Sequence, residues 1–247
     1  SDAFSYIRRH NQLIDRATNS GMGEEEKNHW IGVSRFLRGM EYAKLVQNFG
    51  DVPWFDQVIE NTDYENLYKP RDSRSTVMDN VLADLQFACD NIRESDGQAG
   101  LTINKAVALA FTSRLMLFEG TWQKYREHNN ELAKKYLQAA KDAADKLLAM
   151  GKYSIHSDWK ELTSSISLAG NPEVILYREY EMGVKTHSLM SFQNTEAEGS
   201  SPSRSLVDSY LSANGLPIYQ AENTLYKGDK WFFDEMADRD PRLYANV

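Results

Sequence analysis

Histidine spacing in this sequence does not support a metal site carried by a single helix. Such a site needs two ligands at i, i+4 positions, and no two of the five histidines lie three or four residues apart: His10, His29, His128, His156 and His187. The Gly-x-Ser-x-Gly turn of hydrolases and the glycine loop that cradles phosphates do not occur either. The sequence therefore predicts no catalytic residue, no metal ligand and no cofactor. The many carboxylates leave a structural calcium ion open, although no loop has EF-hand spacing.

Charge and cysteine content exclude further classes of protein. Lys and Arg number 28 against 36 Asp and Glu, so the formal net charge is −8. Such a chain repels a phosphate backbone, and we expect no nucleic-acid partner. The single cysteine, Cys89, excludes an internal disulfide framework, and its position on an apolar helical face predicts a place in the core. No apolar run reaches the roughly 18–20 residues that span a bilayer.

Aromatic residues outside the predicted helices are the best candidates for ligand binding. Trp54, Tyr64 and Tyr68 lie in a polar, turn-forming insertion, and Trp231 lies near the end of the chain. An exposed ring is a natural platform for the apolar face of a sugar. We therefore predict these four as ligand-binding residues; the alternative is that such rings wedge loops against the helical body. For Trp122, beside a helix end, we expect the structural role.

The elements that would position these rings are helices. Apolar residues at i, i+3 and i+4 spacing predict helices over 24–49, 75–92 and 130–150, with a further helix ending at Gly120. Gly50 and Gly151 are expected stops, and Ser75 and Thr102 are expected N-caps.

Consecutive helices carry small and large residues that can interlock. Small residues at 106, 110 and 113 would let the helix over 130–150 approach closely, as in tetratricopeptide-type pairs. We predict a mainly α fold in which tetratricopeptide-like helix pairs form an α-solenoid scaffold over 1–150. Residues 151–247 are predicted to be a loop-rich, ligand-side segment packed on it, with a short strand at 173–177, a long surface loop at 183–205 and a short helix at 205–211.

One segment resembles a known protein family. Residues 35–53 (RFLRGMEYAKLVQNFGDVP) resemble the arginine-containing helix and the Phe-Gly-Asp-hydrophobic-Pro corner of the SusD/RagB proteins. Further segments resemble other motifs of that family and follow in the family's order: 6–11 (YIRRHN), 69–72 (KPRD) with 84–85, 104–109 (NKAVAL), 171–175 (NPEVI), 206–210 (LVDSY) with 214–215, and 239–243 (RDPRL). Relatives often carry Asp where this chain has Asn214.

The resemblance implies a nutrient-binding lipoprotein exposed on the surface of the Gram-negative outer membrane. Such proteins sit over a SusC-like TonB-dependent transporter and pass it a glycan. Their helices form the scaffold that meets the transporter, and less regular segments hold the ligand. Relatives extend further at both ends and carry a lipidated cysteine upstream, so we expect this chain to be a fragment whose lipid anchor lies outside it.

The motif residues themselves are expected to be structural. Asp51 would cap or brace the corner, and the arginines would pair with acidic residues or backbone carbonyls; the motif residues in question are Gly50, Asp51, Pro53, Arg239, Asp240 and Arg242.

Three hypotheses for function follow. The first is non-catalytic glycan binding at the cell surface with delivery to the transporter. The second is a tetratricopeptide-type adaptor that binds a polypeptide in its concave face. The third, which no spacing supports, is a glycan-cleaving enzyme on a helical scaffold.

Overall fold

The chain folds almost entirely into helices and irregular connections. The structure, a computed structural model, describes residues 2–95, 97–189 and 202–246. Its helices are α1 (Asp2–Thr18), α2 (Glu24–Phe49), α3 (Tyr64–Leu67), α4 (Arg74–Asn91), α5 (Lys105–Tyr125), α6 (Asn130–Ala149), α7 (Trp159–Ser164), α8 (Arg204–Ser209), α9 (Phe232–Met236) and α10 (Pro241–Asn246). In the described ranges the β-structure consists of isolated bridges, not ladders. The predicted mainly α fold with a helical scaffold is confirmed.

The described residues of Ser1–Ile155 and Leu168–Arg178 form one compact unit. Within it α2 packs on α4 and α5 packs on α6, while α1 lies against α2 and α4 against α5. The pairs bury one continuous apolar core, and its largest fully buried apolar side chains are Tyr42, Tyr136, Ile7, Leu85, Ile92 and Met116. These are helix pairs stacked side by side, as the interlocking pattern predicts. Cys89 is buried and unbridged, as predicted.

Helix α5 and helix α6 approach closely because glycine occupies their contact. A Cβ added at Gly120 would lie 2.7 Å from Leu137 Cγ and 3.0 Å from the Leu137 backbone nitrogen. The first distance is shorter than real Cβ contacts and the second is unusually tight, so any larger residue would force α5 and α6 to shift. The sequence pattern locates this contact between the correct helices, although it uses Gly120 as a helix end and the structure carries α5 on to Tyr125.

The backbone conformation of the capping residue decides where each helix begins or ends. Gly50 and Gly151 adopt φ of +71° and +62°, and they end their helices as predicted. The predicted N-caps are wrong. Ser73, in extended conformation, accepts from the Thr76 amide and caps α4, which leaves Ser75 inside the first turn. Asn104 caps α5 through the Val107 amide, whereas the Thr102 hydroxyl donates to the Gln98 carbonyl.

The second unit comprises the described residues of His156–Ser167 and Glu179–Val247. Its short helices are joined by turns. Arg239 donates to the carbonyls of Val207 and Tyr210, each at 2.8 Å, and Arg242 pairs with Asp240 at 2.5 Å. These contacts confirm that the arginines of the Arg-Asp-Pro-Arg motif serve structure.

Of the three segments predicted after residue 150, the strand is wrong, the helix is confirmed and the loop is described only in part. The predicted strand at 173–177 is wrong: this stretch lies in turns and bends, and Tyr177 makes a single backbone bond to the Gly100 carbonyl. In the part of the chain that the structure describes, its β-branched residues have no second strand with which to pair. The predicted helix at 205–211 is α8. Of the predicted loop at 183–205, residues 190–201 lie outside the described residues.

Within the described ranges, none of the helices is both long and apolar enough to cross a membrane. The assignment of 151–247 to the ligand side stays a prediction.

Candidate ligand-binding site

A cleft of about 490 Å³ opens in the first unit between α1 and the segment 53–61. Leu67 of α3 completes its lining. One wall comes from α1 and the other from the insertion that follows the Gly50 corner. The lining residues are Phe4, Ser5, Ile7, Arg8, Asn11, Pro53, Phe55, Gln57, Ile59, Asn61 and Leu67.

The wall contributed by the insertion uses every second residue. Lining positions 53, 55, 57, 59 and 61 alternate with positions outside the lining. This is the pattern of an extended chain, in which successive side chains point to opposite sides. Trp54, Asp56 and Glu60 are therefore absent from the cleft, and Phe55 is present, with its ring edge-on to Phe4 at 6.0 Å.

Side chains from neighbouring helices hold this extended segment. Asn11 Nδ2 donates to the carbonyls of Phe55 and Gln57 at 3.0 and 2.9 Å. The Tyr42 hydroxyl accepts from the Phe55 amide at 2.6 Å, and Arg8 donates to the Ile59 carbonyl. The cleft wall thus owes its position to side-chain hydrogen bonds instead of a β ladder.

A buried ion pair anchors these hydrogen bonds. Arg38 forms a bidentate ion pair with Asp84, with Nε–Oδ2 at 2.8 Å and Nη2–Oδ1 at 2.7 Å. Both side chains are only 4% exposed. The third nitrogen, Nη1, donates to Asn11 Oδ1 at 2.7 Å and to the Asp56 carbonyl at 3.1 Å. Arg38 therefore links the core of α4 to the side chain and the backbone that shape the cleft.

Burial sets the charge state of two groups behind the wall. Loss of solvent raises the pKa of the Tyr42 phenol, so its hydroxyl stays protonated. Burial, and then the charge of Arg38, lower the pKa of His10 below its ordinary value. The imidazole is therefore neutral at pH 7.

A second set of bonds fixes the corner. Burial acts to raise the pKa of Asp72, but hydrogen bonds from Lys69 and the Trp54 amide outweigh it and hold that pKa below its ordinary value. Asp72 Oδ2 accepts from the Trp54 amide at 2.7 Å, and Lys69 Nζ donates to the Trp54 carbonyl at 2.8 Å. Asp51 accepts from the Arg74 amide at 2.7 Å, which confirms its expected bracing role.

The predicted ligand residues occupy different environments. Tyr64 and Tyr68 are 66% and 81% exposed, and their rings stack with centroids 6.5 Å apart and planes 14° apart. They share one side of the α3 turn with Leu67, which lines the cleft. Trp54 is half-buried, 4.2 Å from the Tyr42 ring and 5.3 Å from the Arg38 guanidinium.

Trp231 belongs to the second unit. It is 65% exposed and precedes Phe232 and Phe233, which are also exposed. Trp122 instead packs under Arg74 at 4.1 Å and donates from Nε1 to Glu127 at 2.9 Å, so its expected structural role is confirmed. The ligand-binding roles of Trp54, Tyr64, Tyr68 and Trp231 stay predictions.

Sequence reasoning missed most of the cleft lining. Apolar and polar residues do not alternate one by one through 53–61, so the sequence carries no period-2 signal for Phe55, Gln57 and Asn61. The part played by α1 had no local signal, because Asn11 meets its partners 44 and 46 residues away. Among the described residues, no group of three or more His, Cys, Asp or Glu side chains is arranged to hold a metal ion.

Comparison with known proteins gives the same architecture. The chain aligns over 98% of its length with a SusD-like carbohydrate binding protein from Bacteroides fragilis NCTC 9343, at a TM-score of 0.75 and 22% identity, covering 44% of that structure. A second SusD-like protein from the same strain aligns over 99% of the chain at a TM-score of 0.71 and 22% identity, covering 48% of it. The fold is therefore that of these SusD-like structures.

The sequence agrees with that class. SusD-like protein P2 from Formosa agariphila is 28% identical over 135 residues, which is 52% of this chain and 26% of that protein. No family model matches the chain. The chain is therefore similar in sequence to one SusD-like protein and in fold to two others, in agreement with the resemblance of its motifs. It spans about a quarter of the curated relative and less than half of the two solved structures.

Proposed function

We propose that this chain belongs to a protein that binds glycans without cleaving them. The observation that carries the proposal is the stacked, exposed pair Tyr64 and Tyr68, which lies next to Leu67 in the chain, together with the cleft that Leu67 lines and its mixed apolar and amide lining. Two parallel rings offer flat apolar surface to the faces of sugar rings. The cleft volume lies in the range of small-ligand sites. A relative of the same fold bears the description carbohydrate binding protein.

Each predicted residue has a part in this proposal. Tyr64 and Tyr68 stack on the glycan at the mouth of the cleft. Trp54 is proposed to bind ligand through the exposed part of its ring, outside the cleft lining, while the buried part lies against Tyr42 and Arg38. Trp231 offers a further exposed ring in the second unit.

The likeness to the SusD/RagB family extends the proposal to the cell. The complete protein acts at the outer membrane, held on the surface by a lipid anchor, and hands its glycan to a SusC-like TonB-dependent transporter. The motifs and the SusD-like fold support this role. In this proposal the helical scaffold is the part of the protein that contacts the transporter.

Titration calorimetry with a panel of soluble hexasaccharides from glucans, xylans, galactans and pectins tests the proposal. We expect at least one to bind, and the double change Tyr64→Ala with Tyr68→Ala to weaken that binding tenfold or more, since each stacked aromatic contributes about 1 kcal/mol. Tyr125→Ala is the matched control, because Tyr125 is 64% exposed in the same unit but belongs to α5, which contributes no residue to the cleft lining, whereas α3 contributes Leu67. Equal affinity of the double variant and the control would contradict the proposed site.

The same oligosaccharides test the absence of catalysis. After prolonged incubation with the protein we expect no new reducing ends. New reducing ends would show that the protein cleaves glycans and would contradict non-catalytic binding.

A further inference from the structure

The lining of the cleft carries positive charge and, among the described residues, no negative charge. Among the described residues that line it, none is Asp or Glu, and the one charged residue is Arg8. This is notable because the chain carries 36 acidic residues against 28 basic ones. The extended alternation accounts for it: Asp56 and Glu60 occupy the positions between lining residues, so their carboxylates leave the cleft side of the wall.

The Arg8 guanidinium has more N–H donors than its contacts within the described chain use. A guanidinium carries five N–H groups, and within the described chain the Arg8 side chain donates to one acceptor, the Ile59 carbonyl. That bond fixes the head group beside the cleft wall. Its remaining donors suit the planar oxygens of a carboxylate or a sulfate.

The neighbouring groups reinforce this sign. Lys69 Nζ lies 5.4 Å from the centroid of the Phe55 ring, which lines the cleft, although Asp72 partly neutralises it at 2.8 Å. The other polar lining groups are uncharged: the hydroxyl of Ser5 and the amides of Asn11, Gln57 and Asn61. An anionic sugar would therefore meet a cation, amides and no facing carboxylate.

We propose that the cleft selects acidic glycans, with Arg8 binding the uronate carboxylate or sulfate ester of one sugar while the tyrosine pair stacks on its neighbours. This inference rests on the proposed function. It adds the chemical class of the ligand and a specificity-determining residue.

The test compares matched ligands on the full-length protein by calorimetry. One pair is a galacturonic acid tetrasaccharide and its carboxyl-reduced galactose counterpart. The other is a sulfated galactan tetrasaccharide and its desulfated form. These arms separate the two sources of the anion. We expect at least one acidic member to bind about tenfold or more tightly than its neutral match, as a charge-assisted hydrogen bond provides, and this preference to shrink as salt rises.

Arg8→Gln should bring that acidic-to-neutral ratio close to one. Arg9→Gln should leave it unchanged, because Arg9 is the adjacent, exposed arginine whose guanidinium lies over Tyr6 outside the lining. The ratio matters because loss of the Ile59 bond alone would weaken both members of a pair equally. A ratio that survives in Arg8→Gln would overturn the inference.

The binding results that would refute this inference differ from those that would refute the proposed function. Neutral tetrasaccharides that bind as well as the acidic ones would refute acidic selectivity and leave glycan binding intact. If none of the four ligands nor any of the hexasaccharides binds, both proposals fall.

Discussion

The α5–α6 pair and the cleft wall at 53–61 belong to one unit but are held by different forces. The helix pair is fixed by shape: Gly120 lies against Leu137, and Met116 and Tyr136 are fully buried. The cleft wall is fixed by polar side chains, among them Asn11 and Arg38. Apolar packing gives rigidity wherever helices meet, whereas the wall depends on a few directed bonds. We therefore expect that the helix pair can stay folded when the cleft wall loses its structure.

Removal of the buried cation should have the largest effect. Arg38→Met leaves Asp84 buried without its main partner and frees the Asp56 carbonyl. We expect the free energy of unfolding to fall by about 3–5 kcal/mol, measured by urea denaturation followed by circular dichroism. Arg35→Met is the matched control on the same helix, since Arg35 is 3.8 Å from Asp84 and a third exposed. Equal losses in both variants would show that Arg38 is not the anchor.

The helix pair should respond to added volume. Gly120→Ala places a methyl group against Leu137 and its backbone, and overpacking typically costs about 1–3 kcal/mol. That exceeds the gain of roughly 1 kcal/mol from helix propensity, so chemical denaturation should show a net loss of stability.

Gly39→Ala is the matched control for this change. A Cβ at Gly39 would meet Leu85 Cδ2 at 3.5 Å, an ordinary contact, so this variant should be as stable as the wild type or more so. A stabilised Gly120→Ala protein would refute the close approach of α5 and α6.

The smallest expected effect is a pH dependence at the corner. The folded pKa of Asp72 lies below its ordinary value of 3.8. Its ionised form therefore stabilises the fold above that ordinary value, and the contribution is lost as pH falls through the lowered pKa. Between about pH 5 and pH 3, Asp72→Asn should lose less stability than the wild type. A steeper loss in Asp72→Asn than in the wild type would contradict the assignment.

The same contrast explains what the sequence could predict. Helices such as α2 follow from apolar spacing and a glycine stop, because both signals are local. The caps at Ser73 and Asn104 were missed because neighbouring Ser and Thr residues compete and the backbone conformation decides. The strand at 173–177 was predicted from residue types, but a strand needs a partner that a single segment does not reveal.

The cleft was harder to predict than the helices. The exposure of the tyrosine pair agrees with its polar surroundings in the sequence, and its ligand-binding role stays a prediction. The roles of Asn11 and Arg38 depend on contacts across tens of residues, which no local pattern encodes.

Hydrogen exchange measured by mass spectrometry, with and without the tightest-binding oligosaccharide, tests the central claim most directly. We expect ligand protection in α1 and in residues 53–68, with α5 and α6 unchanged. Protection confined to α5 and α6, with no change in α1 or 53–68, would contradict the assignment of glycan binding to the cleft.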